Sequence, residues 1–172
     1  YRATKAGVNA FVPCPLFKSR LLDTLAELSG GGAGNDGETE RERDYSDCRI
    51  LLVEDNELNQ EIAVELLSMT GARVEVADDG KQAVEKFKNS PVGYYHLIFM
   101  DIHMPVMNGY EATRQIRRME RADAGKTWIV AMTADAFVED IRQAKEAGMN
   151  EHISKPVEPG RLQDILYRQF QE

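Results

Sequence analysis

Five times between Arg49 and Phe170, a short continuous apolar run gives way to a longer stretch with apolar residues every three or four positions. The runs are Ile50-Leu51-Leu52-Val53, Val74-Glu75-Val76-Ala77, Leu97-Ile98-Phe99-Met100, Trp128-Ile129-Val130-Ala131-Met132 and the shorter Glu151-His152-Ile153-Ser154. Runs of this length without polar alternation suit strands covered on both faces. The intervening stretches carry Leu58, Ile62, Leu66 and Met69, then Ala83, Val84 and Phe87, then Ala112, Ile116 and Met119, then Phe137, Ile141 and Ala144, and finally Leu162, Ile165, Leu166 and Phe170. These spacings predict amphipathic helices. Repeated strand-to-helix crossovers require parallel pairing, so the pattern predicts an α/β, doubly wound (βα)5 domain with a five-stranded parallel sheet. The usual flavodoxin-like order is 2-1-3-4-5, with a crevice outside the carboxyl ends of strands 1 and 3.

Polar residues follow these runs directly and should share that crevice. Strand 1 is followed by Glu54-Asp55, strand 3 by Asp101, strand 4 by Thr133 and strand 5 by Lys155-Pro156. Carboxylates brought within about 4 Å repel by about 4 kcal/mol per pair at an effective dielectric near 20. Such a group takes up a proton or holds a cation. An all-oxygen acidic set selects a hard ion, and Mg²⁺ is preferred where a phosphate supplies further ligands. Lys155 adds a positive charge suited to a phosphoryl oxygen, and Thr133 adds a hydroxyl donor. The set reads as a site for making and breaking an acyl phosphate on a carboxylate. Helix capping by Asn56 accounts for part of the first loop, but it requires no carboxylates across the crevice.

Charge and composition narrow the function further. The chain carries a net −8 with no Lys/Arg-rich block, so direct nucleic-acid binding has no electrostatic footprint. No apolar run approaches the roughly 18 residues that span a bilayer. Cys14 and Cys48 lack metal-ligand spacing and fit a reduced, cytoplasmic setting. His96 and His103 have no Cys or His partners at zinc spacing.

Residues 49–172 resemble the receiver domain of two-component signalling proteins, as found at the C-terminal ends of hybrid sensor histidine kinases. The resemblance rests on Leu52-Val53-Glu54-Asp55-Asn56, Met100-Asp101-Ile102-His103-Met104-Pro105 with Asn108-Gly109, Ala131-Met132-Thr133-Ala134 and Ser154-Lys155-Pro156. It implies that Asp101 is the phosphoacceptor and that Mg²⁺ is the cofactor. Asp55 would ligate the metal directly, Glu54 through a water on it, and the His103 backbone carbonyl would be a further ligand. Thr133 and Lys155 would contact the phosphoryl oxygens, and Lys155-Pro156 would be a cis peptide. Magnesium-dependent self-phosphorylation and slow self-dephosphorylation are implied, without kinase activity of the domain's own. The implied partners are a histidine kinase core or a histidine phosphotransfer domain, meeting the first helix and the loop after strand 5. The domain would act as a monomer or weak dimer, inside a parent hybrid kinase that could be a membrane-anchored sensor.

One position departs from the family pattern. Three residues before the lysine the family usually has Tyr or Phe, which turns inward when the threonine moves; here it is His152. Histidine packs less apolar surface and ionises near about pH 6.5 when unperturbed. A weak coupling of output to pH is therefore expected. Two other readings stand beside the receiver: a receiver-like docking module that is not phosphorylated, and a Mg²⁺-dependent phosphohydrolase. The second would need a D-x-D motif after strand 1, where this chain has Glu54-Asp55-Asn56.

The chain also resembles itself. Ala3–Pro15 aligns without gaps to Ala144–Pro156 at an offset of 141, and Arg20-Leu21 to Arg161-Leu162. Residues 1–29 thus look like the C-terminal remnant of a preceding receiver, and the sequence like part of a longer protein. Cys14 occupies the lysine position, which implies that the preceding domain was degenerate. Residues 30–48, glycine-rich and then acidic, read as a linker.

Overall fold

Arg49–Val53 forms β1, followed by β2 (Arg73–Ala77), β3 (Leu97–Asp101), β4 (Trp128–Thr133) and β5 (Glu151–Ser154). The computed structural model describes residues 44–134 and 137–170. The readings of residues 1–29, of Cys14 and of the linker up to residue 43 lie outside the described residues. The helices are α1 (Glu57–Ser68), α2 (Gly80–Asn89), α3 (Gly109–Arg117), α4 (Val138–Ala147) and α5 (Pro159–Gln169). The five strands form one sheet in the order β2-β1-β3-β4-β5, all pairs parallel. This is the expected doubly wound arrangement. β3 and β4 run one residue further than the apolar runs, so Asp101 and Thr133 are the last residues of their strands.

Alternate residues of each central strand enter opposite layers, as the pleat requires. Leu51, Val53, Ile98, Met100, Ile129 and Ala131 pack with Ala83 and Phe87 of α2, Ala112 and Ile116 of α3, and Ala144 and Ala147 of α4. Ile50, Leu52, Leu97, Phe99, Val130 and Met132 pack with Ala63 and Leu67 of α1 and Leu162, Ile165 and Leu166 of α5. Covering both faces explains why β1, β3 and β4 read as unbroken apolar runs.

Helix starts follow the local sequence. Asn56, Asp79 and Asn108 each accept a backbone N–H three residues on, capping α1, α2 and α3. The buried face of α1 corrects the sequence reading. Its core residues are Ala63 and Leu67, while Leu58, Ile62 and Met69 are 64%, 47% and 60% exposed. α1 carries two apolar stripes, and the one containing the small Ala63 lies against the sheet. Phe137 likewise precedes α4 and is exposed rather than buried. Among the described residues no helix is long and apolar enough to cross a membrane.

Candidate functional site

β1 and β3 are neighbours, with Val53 in register with Met100. The residues that follow, Glu54 and Asp101, therefore emerge side by side at the carboxyl edge. Both are almost fully buried, at 2% and 4% exposure, whereas Asp55 is exposed. One carboxylate oxygen from each of Glu54, Asp55 and Asp101 lies within 4.8 Å of the others.

Lys155 enters from β5. Its backbone N–H donates to the Thr133 carbonyl at 2.7 Å, which aims the side chain across the end of β4. The Lys155–Pro156 peptide is cis, as the resemblance implied. The Lys155 Nζ lies 2.6 Å from Glu54 Oε2 and 2.9 Å from Asp101 Oδ2. Thr133 is 1% exposed at the end of β4. His103 is exposed, and its backbone N–H reaches Asp101 Oδ1 at 3.3 Å. His152, half-buried on the edge strand β5, stands in register with Ala131.

Burial pushes the Asp101 carboxyl up to about 6, and the Glu54 charge adds to the rise. The Lys155 ammonium and the His103 N–H pull it the other way. Burial works against the Lys155 charge, but hydrogen bonds to Asp101 and Glu54 outweigh it and raise the lysine above its ordinary value. Three carboxylates against one ammonium leave a formal charge of −2. The donor set is all oxygen, and a hard divalent cation suits both the charge and the ligands.

The loop after β3 is tightly built. Ile102 N–H donates to Met132 O at 3.2 Å, and Gly109 N–H returns to Ile102 O at 2.9 Å. Met107 N–H bonds Pro105 O at 2.7 Å across Val106, whose φ is 67°. This is a γ-turn with a β-branched centre, a strained conformation at the rim of the crevice. Gly109 packs so closely on the Asp101 carbonyl that a Cβ there would overlap it. The motif that contains Asn108-Gly109 gives no sign of this contact in the sequence.

A family model described as the response regulator receiver domain matches residues 50–167. The chain belongs to this family. The receiver is 38% identical over 141 residues to probable histidine kinase 2 of Oryza sativa subsp. indica, a match that covers 75% of this chain and 13% of the rice protein. The chain thus spans about an eighth of the length of that relative. Among solved structures, the receiver domain of the sensor histidine kinase PA1611 from Pseudomonas aeruginosa has a magnesium ion coordinated in its active-site cleft. It is 39% identical to this receiver, with a TM-score of 0.66, covering 73% of this chain and 98% of that one. The Ssk1 receiver of Saccharomyces cerevisiae, crystallised with the histidine phosphotransfer protein Ypd1, is 33% identical with a TM-score of 0.64, covering 74% of this chain and 91% of the other.

The structure brings Glu54, Asp55, Asp101 and Lys155 together as the sequence suggested, with Thr133 one strand away. It also brings in two residues of α1. Gln60 reaches back from α1 to the Glu54 carbonyl at 2.6 Å, and Asn59 Nδ2 approaches Glu54 Oε1 at 3.4 Å. Neither follows an apolar run, so strand-end logic could not find them.

Proposed function

We propose that Asp101 accepts a phosphoryl group from a phosphohistidine in a two-component phosphorelay, with Mg²⁺ held by Glu54, Asp55, Asp101 and the His103 carbonyl. The observation that carries this reading is the juxtaposition at Asp101: a buried carboxylate 2.9 Å from the Lys155 ammonium, within reach of two further carboxylates. An Asp101 oxygen attacks phosphorus, and the P–N bond of the phosphoimidazole breaks. The departing imidazole nitrogen keeps the electron pair and is protonated, leaving an acyl phosphate. The Lys155 ammonium and the Thr133 hydroxyl meet the charge on the transferred oxygens. Bound Mg²⁺ would supply further charge neutralisation at those oxygens.

The donor would be a histidine kinase core or a histidine phosphotransfer domain, in the cytoplasm. Supporting this, Leu58 and Ile62 present exposed apolar surface on α1, the helix that begins beside Glu54 and Asp55. Cys48 has no part in the chemistry. It is buried, and burial pushes its thiol up to about 12.

Incubation with acetyl phosphate and Mg²⁺ followed by intact-mass measurement tests the acceptor. One phosphate adduct is expected, and Asp101→Asn should abolish it. No adduct under any metal condition would leave the unphosphorylated docking module as the reading.

His152 is proposed to report the switch together with Thr133. Partner binding by the phosphorylated protein should change on His152→Phe, measured against wild type at matched phosphorylation. Identical binding by the two proteins would refute the role.

A further inference from the structure

The loop that carries Glu54 and Asp55 is short and flanked by an exposed cap residue, so something must hold its two carboxylates in place. Asn56 N–H, at 3.2 Å from Glu54 Oε1, orients one side chain but not the backbone. The Glu54 N–H is held by Ala77 O at 3.1 Å, and the Glu54 carbonyl is held by Gln60, half-buried in the first turn of α1. A carboxamide nitrogen has two hydrogens to donate. Gln60 Nε2 uses them on Glu54 O at 2.6 Å and on Asp78 Oδ1 at 2.9 Å. Glu54 O belongs to the peptide linking Glu54 to Asp55, so this bond acts on both carboxylate-bearing residues at once.

Asp78 is itself fixed. Its Oδ2 accepts from Gln82 Nε2 at 3.2 Å, and its backbone N–H donates to Gln82 Oε1 at 3.2 Å. The same turn is anchored to the loop after β3 by Gly80 N–H, which donates to Met107 O at 3.2 Å. The β2–α2 turn contributes no residue to the carboxylate cluster. Through Gln60 and Gly80 it nevertheless touches both loops that do.

We infer that Gln60 and Asp78 form a strut that positions Glu54 and Asp55 for the cation, with the β2–α2 turn as its footing. Gln60 is a positioning residue and touches neither metal nor phosphate. The inference rests on the receiver reading above and adds to it residues that set the affinity of its metal site. Removing a hydrogen-bond partner behind a metal ligand typically costs 10- to 100-fold in affinity.

Isothermal titration of the full chain with Mg²⁺ tests this, with thermal unfolding of each variant in chelator alongside. Gln60→Ala should weaken Mg²⁺ binding about 10-fold, beyond any change in melting temperature. The Asp78 pair separates hydrogen bonding from charge. Asp78→Ala loses both, whereas Asp78→Asn loses the charge but keeps an acceptor for Gln60. Asp78→Asn should therefore bind within about twofold of wild type and Asp78→Ala should follow Gln60→Ala. The inference is overturned if Gln60→Ala binds like wild type, or if Asp78→Asn falls as far as Asp78→Ala. If Gln60→Ala does not fold, the Asp78 pair decides alone. A wild-type chain that takes up no Mg²⁺ would overturn the metal reading itself and this inference with it, a result distinct from an unchanged variant.

Discussion

Gly109→Ala is expected to destabilise the domain by about 3 kcal/mol and to depress the acetyl phosphate adduct at Asp101. The expectation runs against helix propensity. Gly109 is the first residue of α3, and Gly→Ala within a helix ordinarily gains up to about 1 kcal/mol. What reverses the sign is space. A Cβ at Gly109 would overlap the Asp101 carbonyl oxygen and meet Met100 Cγ at 3.0 Å. The carbonyl is backbone and cannot turn away as a side chain could. Either α3 retreats, losing the 2.9 Å bond from Gly109 N–H to Ile102 O, or Asp101 moves relative to Lys155. The control is Gly160→Ala in α5, where an added Cβ meets nothing within 4 Å, and stability should hold or rise slightly. Urea unfolding midpoints of the two variants decide. An unchanged midpoint for Gly109→Ala would mean that the β3–α3 loop yields cheaply.

The second large effect is a gain of stability from removing the proposed acceptor. Burial pushes the Asp101 carboxyl up to about 6 in the folded protein, from an ordinary 3.8. The folded state therefore holds that proton more tightly than the unfolded chain does. The resulting stabilisation is complete below about 3.8 and is lost as pH rises through about 6. Above that, the fold carries an ionised buried carboxylate, opposed by Glu54 and only partly offset by Lys155. Asparagine has no such ionisation. In chelator at pH 7.5, Asp101→Asn should be more stable than wild type by about 2 kcal/mol. The difference should shrink below pH 6 and be close to zero near pH 4. Added Mg²⁺ should narrow it at neutral pH, because the cation binds best to the intact acid set. Urea titrations across this range measure both parts. A variant less stable than wild type at pH 7.5 would mean that the Lys155 pair outweighs burial.

Both expectations share a cause. Asp101 is placed by a backbone that tolerates little change and carries a charge that the surrounding fold disfavours. The proposed acceptor role is thus expected to cost stability, as is common at sites that concentrate like charges.

The sheet and its order were legible in the sequence because β1, β3 and β4 are buried on both faces, which demands continuous apolar runs. The acid set was legible for a related reason. In a parallel sheet every strand ends at the same edge, so Glu54, Asp101, Thr133 and Lys155 converge simply by following their strands. Other features were decided only in three dimensions. The spacing of Leu58, Ile62, Leu66 and Met69 showed that α1 has an apolar stripe, but not that a second stripe at Ala63 and Leu67 would win the sheet. Helical period reports a face without reporting what it faces. The pairing of Lys155 with Glu54, the contact of Gly109 with Asp101 and the reach of Gln60 to Asp78 each join residues across a loop. They depend on how each loop turns after its strand, and loop paths leave no period to read. Which groups reach the crevice follows from the order of strands and the residues at their ends, both readable along the chain. Tertiary structure decided which of them touch, because contact across strands depends on register and loop path rather than on any residue's neighbours in the chain.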